Sequence, residues 1–226
     1  MADDSTMIST NQWSLITFTV LHFLFFFASL VAIPILAPGS RIPNPFGNDA
    51  NMRTFFLNAA SAIRVSDFLQ LASALCLGAS STLFCNALGQ TGDRRTAPWL
   101  IAGGGSGAAV MLALSSLFSW AMVSPGAADL GSALHAFQFI PFLLGGPGWA
   151  GFFAIFLAGV TIAARGLLPR WLRIAGYFLI FVSAAATPVL LSIVFSPCLP
   201  IARFLGFVWL IAVSIDLTRR PAALSR

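Results

Sequence analysis

Six apolar runs, each long enough to cross a bilayer, alternate with short segments where polar and turn-forming residues gather. The first run spans 13–36, with Pro34 and Pro38 at its end and Trp13 suited to the headgroup zone. A loop rich in Pro, Gly and Asn follows, from Ala37 to Arg53. The next stretch, Thr54 to Leu88, is apolar but broken by Arg64, Ser66 and Asp67. Hydrocarbon holds such groups only at a cost. The pattern therefore predicts an interfacial lead-in over 51–64, then a second span over 66–89 capped by Ser66 or Asp67.

The third span is expected over 99–123. It carries Gly103, Gly104, Gly105 and Gly107, small residues that let helices approach closely in lipid. A partner helix or a second copy is expected against Gly103, Gly104 and Gly107. The stretch Gly131 to Ala164 is interrupted at Gly145-Gly146-Pro147-Gly148, which cannot continue a regular helix without a kink. A lead-in over 131–144 and a fourth span over 148–165 follow from it. The fifth span is expected over 171–195, kinked by Pro188, and the sixth over 201–217. The fold class is all-α: one polytopic membrane domain over 1–226, six transmembrane helices with two broken lead-ins on the outer side.

Composition sharpens this picture. Only 8% of the 226 residues are charged, where a soluble domain carries about a quarter; lipid must be the main solvent. The N-terminus lacks a basic segment and the first run is too long for a signal-peptide core, so it reads as an uncleaved span. All twelve basic residues are arginine, which excludes a retinal or pyridoxal Schiff base and a nucleotide-binding lysine. The net charge of +5 is no sign of nucleic-acid binding, because the arginines gather at the ends of apolar runs. Arg94, Arg95, Arg165, Arg170, Arg173, Arg219, Arg220 and Arg226 fall on one side; Arg41, Arg53 and Arg203 fall on the other, with Arg64 buried or at its interface. The positive-inside rule then places both termini in the cytoplasm and the chain in the inner (plasma) membrane. Cys76, Cys85 and Cys198 show no metal-ligand spacing and read as small apolar packers.

Pro98-Trp99-Leu100 and Pro169-Arg170-Trp171-Leu172 open the third and fifth spans, each after an arginine-bearing turn. Two readings stand: a parallel internal repeat, or Pro-Trp as ordinary interfacial chemistry at a helix start. The turn Leu168-Pro169-Arg170-Trp171-Leu172 and the end Arg219-Arg220 resemble bacterial six-helix integral membrane families of unknown function. The resemblance covers the last third best. Those families have no agreed activity, so no functional residue carries over. The absence of lysine and the abundance of alanine are compositional signs of a GC-rich bacterial genome.

Polar residues near the outer half are the candidates for function: Arg64, Asp67, Gln70, Asp129, His135, Gln138 and Arg203. Arg64 and Asp67 are three apart on a helix and are expected to pair, with Arg203 as a second partner for Asp67. Asp216 and Arg220 are four apart at the inner end of the last span and read as a solvated pair. Two histidines, His22 and His135, raise a bis-histidine haem, but they fall at different depths. A hydrogen bond to a neighbouring helix suits His22 better, and no cofactor or metal is expected. No motif for hydrolysis or nucleotide binding is present. The expected function is binding or transport of a small or amphipathic ligand in an outer-leaflet cavity lined by Arg64, Asp67, His135, Gln138 and Arg203, with membrane lipids as neighbours. The alternatives are an assembly subunit of a membrane complex, and a lipid-modifying enzyme using Asp67 or His135 as acid or base.

Overall fold

The computed structural model describes residues 4–40, 49–89, 96–124 and 133–219. Among them are eight α-helices and no strand: α1 (Asp4–Leu36), α2 (Asp49–Asn58), α3 (Ala60–Leu88), α4 (Ala97–Ala121), α5 (Ala133–Leu143), α6 (Trp149–Ala163), α7 (Arg170–Ala185) and α8 (Cys198–Thr218). Six segments are long and apolar enough to span a membrane: Trp13–Leu36, Ala60–Leu88, Ala97–Ala121, Phe137–Ala163, Arg170–Leu190 and Ile193–Thr218. The chain is a polytopic helical bundle. Its spans close a ring, α1 on α3, α3 on α4, α4 on α6, α6 on α7, α7 on α8, and α8 back on α1, with α6 also touching α3 and α8.

Three boundaries differ from the expected ones. The lead-in α2 stops at Asn58, and the break falls at Ala59, whose backbone leaves the helical region. Arg64, Ser66 and Asp67 therefore lie inside the second span. Ser66 is no cap: its hydroxyl donates to the Ser29 carbonyl of α1, 2.8 Å away, which satisfies it inside the bundle. At the second break the helix does not stop. Leu144–Gly148 form a π-helical turn that carries α5 into α6. Pro147 has no N–H to give, so the ladder slips by one residue, and the Trp149 N–H donates to the Leu144 carbonyl. The two lead-ins thus join their spans differently, one through a one-residue bend at Ala59 and the other through a π-turn. Pro188 ends a helix rather than kinking it: α7 stops at Ala185, and two 3₁₀ turns, Thr187–Leu190 and Ile193–Phe195, lead to α8.

Without a hydrophobic drive between helices in lipid, packing and interhelical hydrogen bonds must hold the ring. Ser66, Ser73 and Ser80 recur every seven residues, which lays them along one stripe of α3 facing α1. Each meets a polar partner there: the Ser29 carbonyl, His22, and the Thr19 hydroxyl at 3.4 Å. His22 Nδ1 lies 2.9 Å from the Ser73 carbonyl, which only accepts, so the proton is on Nδ1. The Ser73 hydroxyl, 2.7 Å from that nitrogen, donates to the His22 carbonyl at 2.8 Å. Ser214 of α8 reaches Thr19 at 3.2 Å and joins the third helix to the seam. Ser73→Ala is expected to lower stability by about 1 kcal/mol, read as a lower thermal midpoint of the purified protein, with Ser73→Thr losing less.

The glycines of α4 work inside the chain. A Cβ on Gly104 would meet the backbone of α6, with Ile155 C and Phe156 Cα at 2.8 Å. Gly107 faces the Phe152 ring of α6, and Gly105 faces the Ser81 side chain of α3. From the other side, Gly159 of α6 lies over the Ile101 backbone. The partner found for Gly104 and Gly107 is therefore α6 of the same chain; Gly103 faces open space.

An aromatic cluster fills the upper interior. Phe207 packs edge-on against His22 (centroids 4.4 Å), Phe26 (5.3 Å) and Trp149 (5.9 Å), and Trp149 stacks on Phe153 at 4.4 Å. Such offset and T-shaped pairs suit the ring quadrupoles.

Candidate functional site

The π-turn and the aromatic cluster converge on one arginine. Arg203 lies five residues into α8, about 7.5 Å along the axis from Cys198. This is the end of the bundle opposite the Arg165–Arg173 turn. The π-turn directs the Gly145 carbonyl toward α8, and an Arg203 Nη donates to it. The guanidinium lies over the faces of Trp149 (4.4 Å) and Phe26 (4.8 Å), where the negative ring faces attract it. No carboxylate among the described residues pairs with it, and its Nε has no partner.

Beside Arg203 is a groove of about 450 Å³. Phe26 and Leu30 of α1 form part of its wall, with Phe142 of α5 and Leu199 and Phe204 of α8. Gln70 of α3 and Ser115 of α4 supply its neutral polar groups. Ser115 donates to the Pro141 carbonyl at 2.8 Å, and Gln70 Nε2 lies 3.5 Å from the Ser115 hydroxyl. Gly145 must be small because a Cβ there would strike Ser115. The arrangement offers one fixed positive charge, two neutral polar side chains and an apolar wall, which matches the usual make-up of a ligand site.

The other expected site residues scatter. Arg64 is exposed and donates to the Val123 carbonyl at 2.7 Å, just past the end of α4, where a cation complements the helix dipole. It forms no ion pair with Asp67 in this structure, because its side chain is drawn to that carbonyl. Asp67 is 6% exposed and lines a different groove between α3 and α4, so it does not meet Arg203 either. Gln138 is half-buried on α5, and its buried Oε1 has no partner. His135 belongs to α5, but its side chain lies outside the described residues, as do Asp129 and Arg220. His22 is bonded to Ser73 of the neighbouring helix, as expected of a membrane histidine. Ser115 and the Gly145 carbonyl were not among the expected site groups. A serine in an apolar run carries no signal by itself, and a carbonyl is freed only by the slipped ladder.

No family model, no curated protein and no solved structure matches the chain.

Proposed function

We propose that this protein binds an amphipathic anion, a carboxylate or phosphate head on an apolar tail, and carries it within or across the membrane. The single observation behind this is Arg203: a guanidinium held by a carbonyl and two aromatic faces, unpaired with any described carboxylate, beside a groove of about 450 Å³. A lone charge inside a membrane bundle is expensive unless it has work to do. Its head would meet Arg203, Gln70 and Ser115, and its tail the apolar wall of Phe26, Leu30 and Phe204. Titration of the full chain in maltoside micelles with decanoate tests this. Trp149 fluorescence, next to Arg203, is expected to change saturably with decanoate and not with decanol.

The arginine count supports a cytoplasmic Arg165–Arg173 turn and cytoplasmic termini. The groove then opens to the outer leaflet of a bacterial inner membrane. Gly166 has open space around it, so Gly166→Cys in a background without Cys76, Cys85 and Cys198 suits labelling. An impermeant maleimide is expected to react only after the membrane is broken; labelling of intact cells would reverse the orientation.

Two other readings have less behind them. An assembly subunit would offer the glycines of α4 to a partner, yet Gly104, Gly105 and Gly107 are covered by α3 and α6. A lipid-modifying enzyme needs a second acid or base beside Asp67, and the group found there is the Ser119 hydroxyl.

A further inference from the structure

On the flank of the bundle between α3 and α4 lies a second groove, of about 280 Å³, lined by Asp67, Phe68, Leu71, Ser116, Leu117 and Trp120. Apart from Asp67 and Ser116, its lining is apolar or aromatic. Asp67 is 6% exposed, Ser119 hydrogen-bonds the carboxylate, and Oδ2 is buried without a partner. Both arginines expected to pair with it are engaged elsewhere. Arg64 donates to the Val123 carbonyl, and Arg203 faces the first groove. Helix α4, the other wall, contains no basic residue at all.

Asp67 thus lines an apolar groove with an indole and a phenyl ring beside it, and one of its carboxylate oxygens is buried without a partner. Charge of that sign recruits a cation, and the ring faces favour one whose charge is spread over an organic head. We infer that the Asp67 groove is a binding site for an organic ammonium cation on an apolar body, separate from the Arg203 groove and of opposite charge preference. The ammonium head contacts Asp67 and the Trp120 face, and the apolar body lies along Phe68, Leu71 and Leu117. Asp67 lies about 10 Å along α3 from Ala60, a depth that an ammonium head can reach from the interface. Either a membrane aminophospholipid head or a free lipophilic amine presents this chemistry.

The test uses the full chain in maltoside micelles, with benzyltrimethylammonium as probe and saturation-transfer NMR as readout. The wild type is expected to bind it saturably and to ignore its uncharged isostere, neopentylbenzene. Asp67→Asn keeps the shape and a hydrogen bond to Ser119 but removes the charge. It is expected to weaken binding about tenfold or more, the loss of a charge-assisted contact. Trp120→Leu is expected to weaken it severalfold, and Arg203→Gln to leave it unchanged. Displacement of the probe by phosphatidylethanolamine, but not by phosphatidylglycerol, would identify a lipid head as the occupant; binding undisturbed by both would identify a free amine. Equal binding by wild type and Asp67→Asn, or no saturable binding by a folded wild type, would overturn the proposal.

Discussion

Gly104→Leu is expected to pry α4 from α6 and lower the thermal midpoint sharply, while Gly103→Leu, one residue away, leaves it nearly unchanged. The contrast follows from what each position faces. A Cβ at Gly104 would overlap the Phe156 backbone, which cannot rotate aside as a side chain would. Overpacking a membrane or soluble core costs about 1–3 kcal/mol where side chains can adjust; a backbone clash belongs at the upper end or beyond. Gly103 is exposed and has nothing within 4 Å, so a leucine there only adds lipid-facing surface, within about 0.5 kcal/mol of neutral. The measurement is thermal unfolding of both variants in the same detergent. A larger loss at Gly103 than at Gly104 would mean that the glycine face serves another molecule and that the α4–α6 contact is wrongly placed.

Arg203→Gln is expected to abolish tight binding of decanoate while the protein stays folded. Glutamine can still donate to the Gly145 carbonyl, so the π-turn keeps a partner. What disappears is the charge and its fit over Trp149 and Phe26. Losing a charge-assisted hydrogen bond in a partly buried site costs about 1.5–3 kcal/mol, roughly tenfold to a hundredfold in affinity. Gln70→Ala and Ser115→Ala remove neutral partners, and each is expected to cost less than the charge. Unchanged decanoate binding by Arg203→Gln would remove the groove from the account.

The six spans are written in the hydropathy of the chain, because lipid demands long apolar runs with self-satisfied backbones. Arg203 also announces itself, as the lone basic residue within the last run. Its surroundings do not. Phe26 comes from the first span, and Gly145 and Trp149 from the π-turn and the start of α6; only the closed ring brings them to Arg203. The Arg64–Asp67 spacing permits a pair, yet spacing says nothing of a better offer from the Val123 carbonyl just past α4. The break at Gly145–Gly148 is visible in the sequence, but whether it ends the helix or slips it into a π-turn depends on what packs around it. The seven-residue rhythm of Ser66, Ser73 and Ser80 was there to be read. It is muted because serine is neither strongly polar nor apolar, so a hydropathy pattern passes over it. Its meaning appears only when Ser29, His22 and Thr19 are seen running antiparallel beside it.

Native mass spectrometry of the protein purified from its own membrane tests the central claim most directly. Wild type is expected to carry an anionic amphiphile as a defined mass adduct that Arg203→Gln lacks and Asp67→Asn keeps. Wild type and Arg203→Gln carrying the same adducts in the same proportion, or wild type carrying none and taking up no added decanoate, would contradict it.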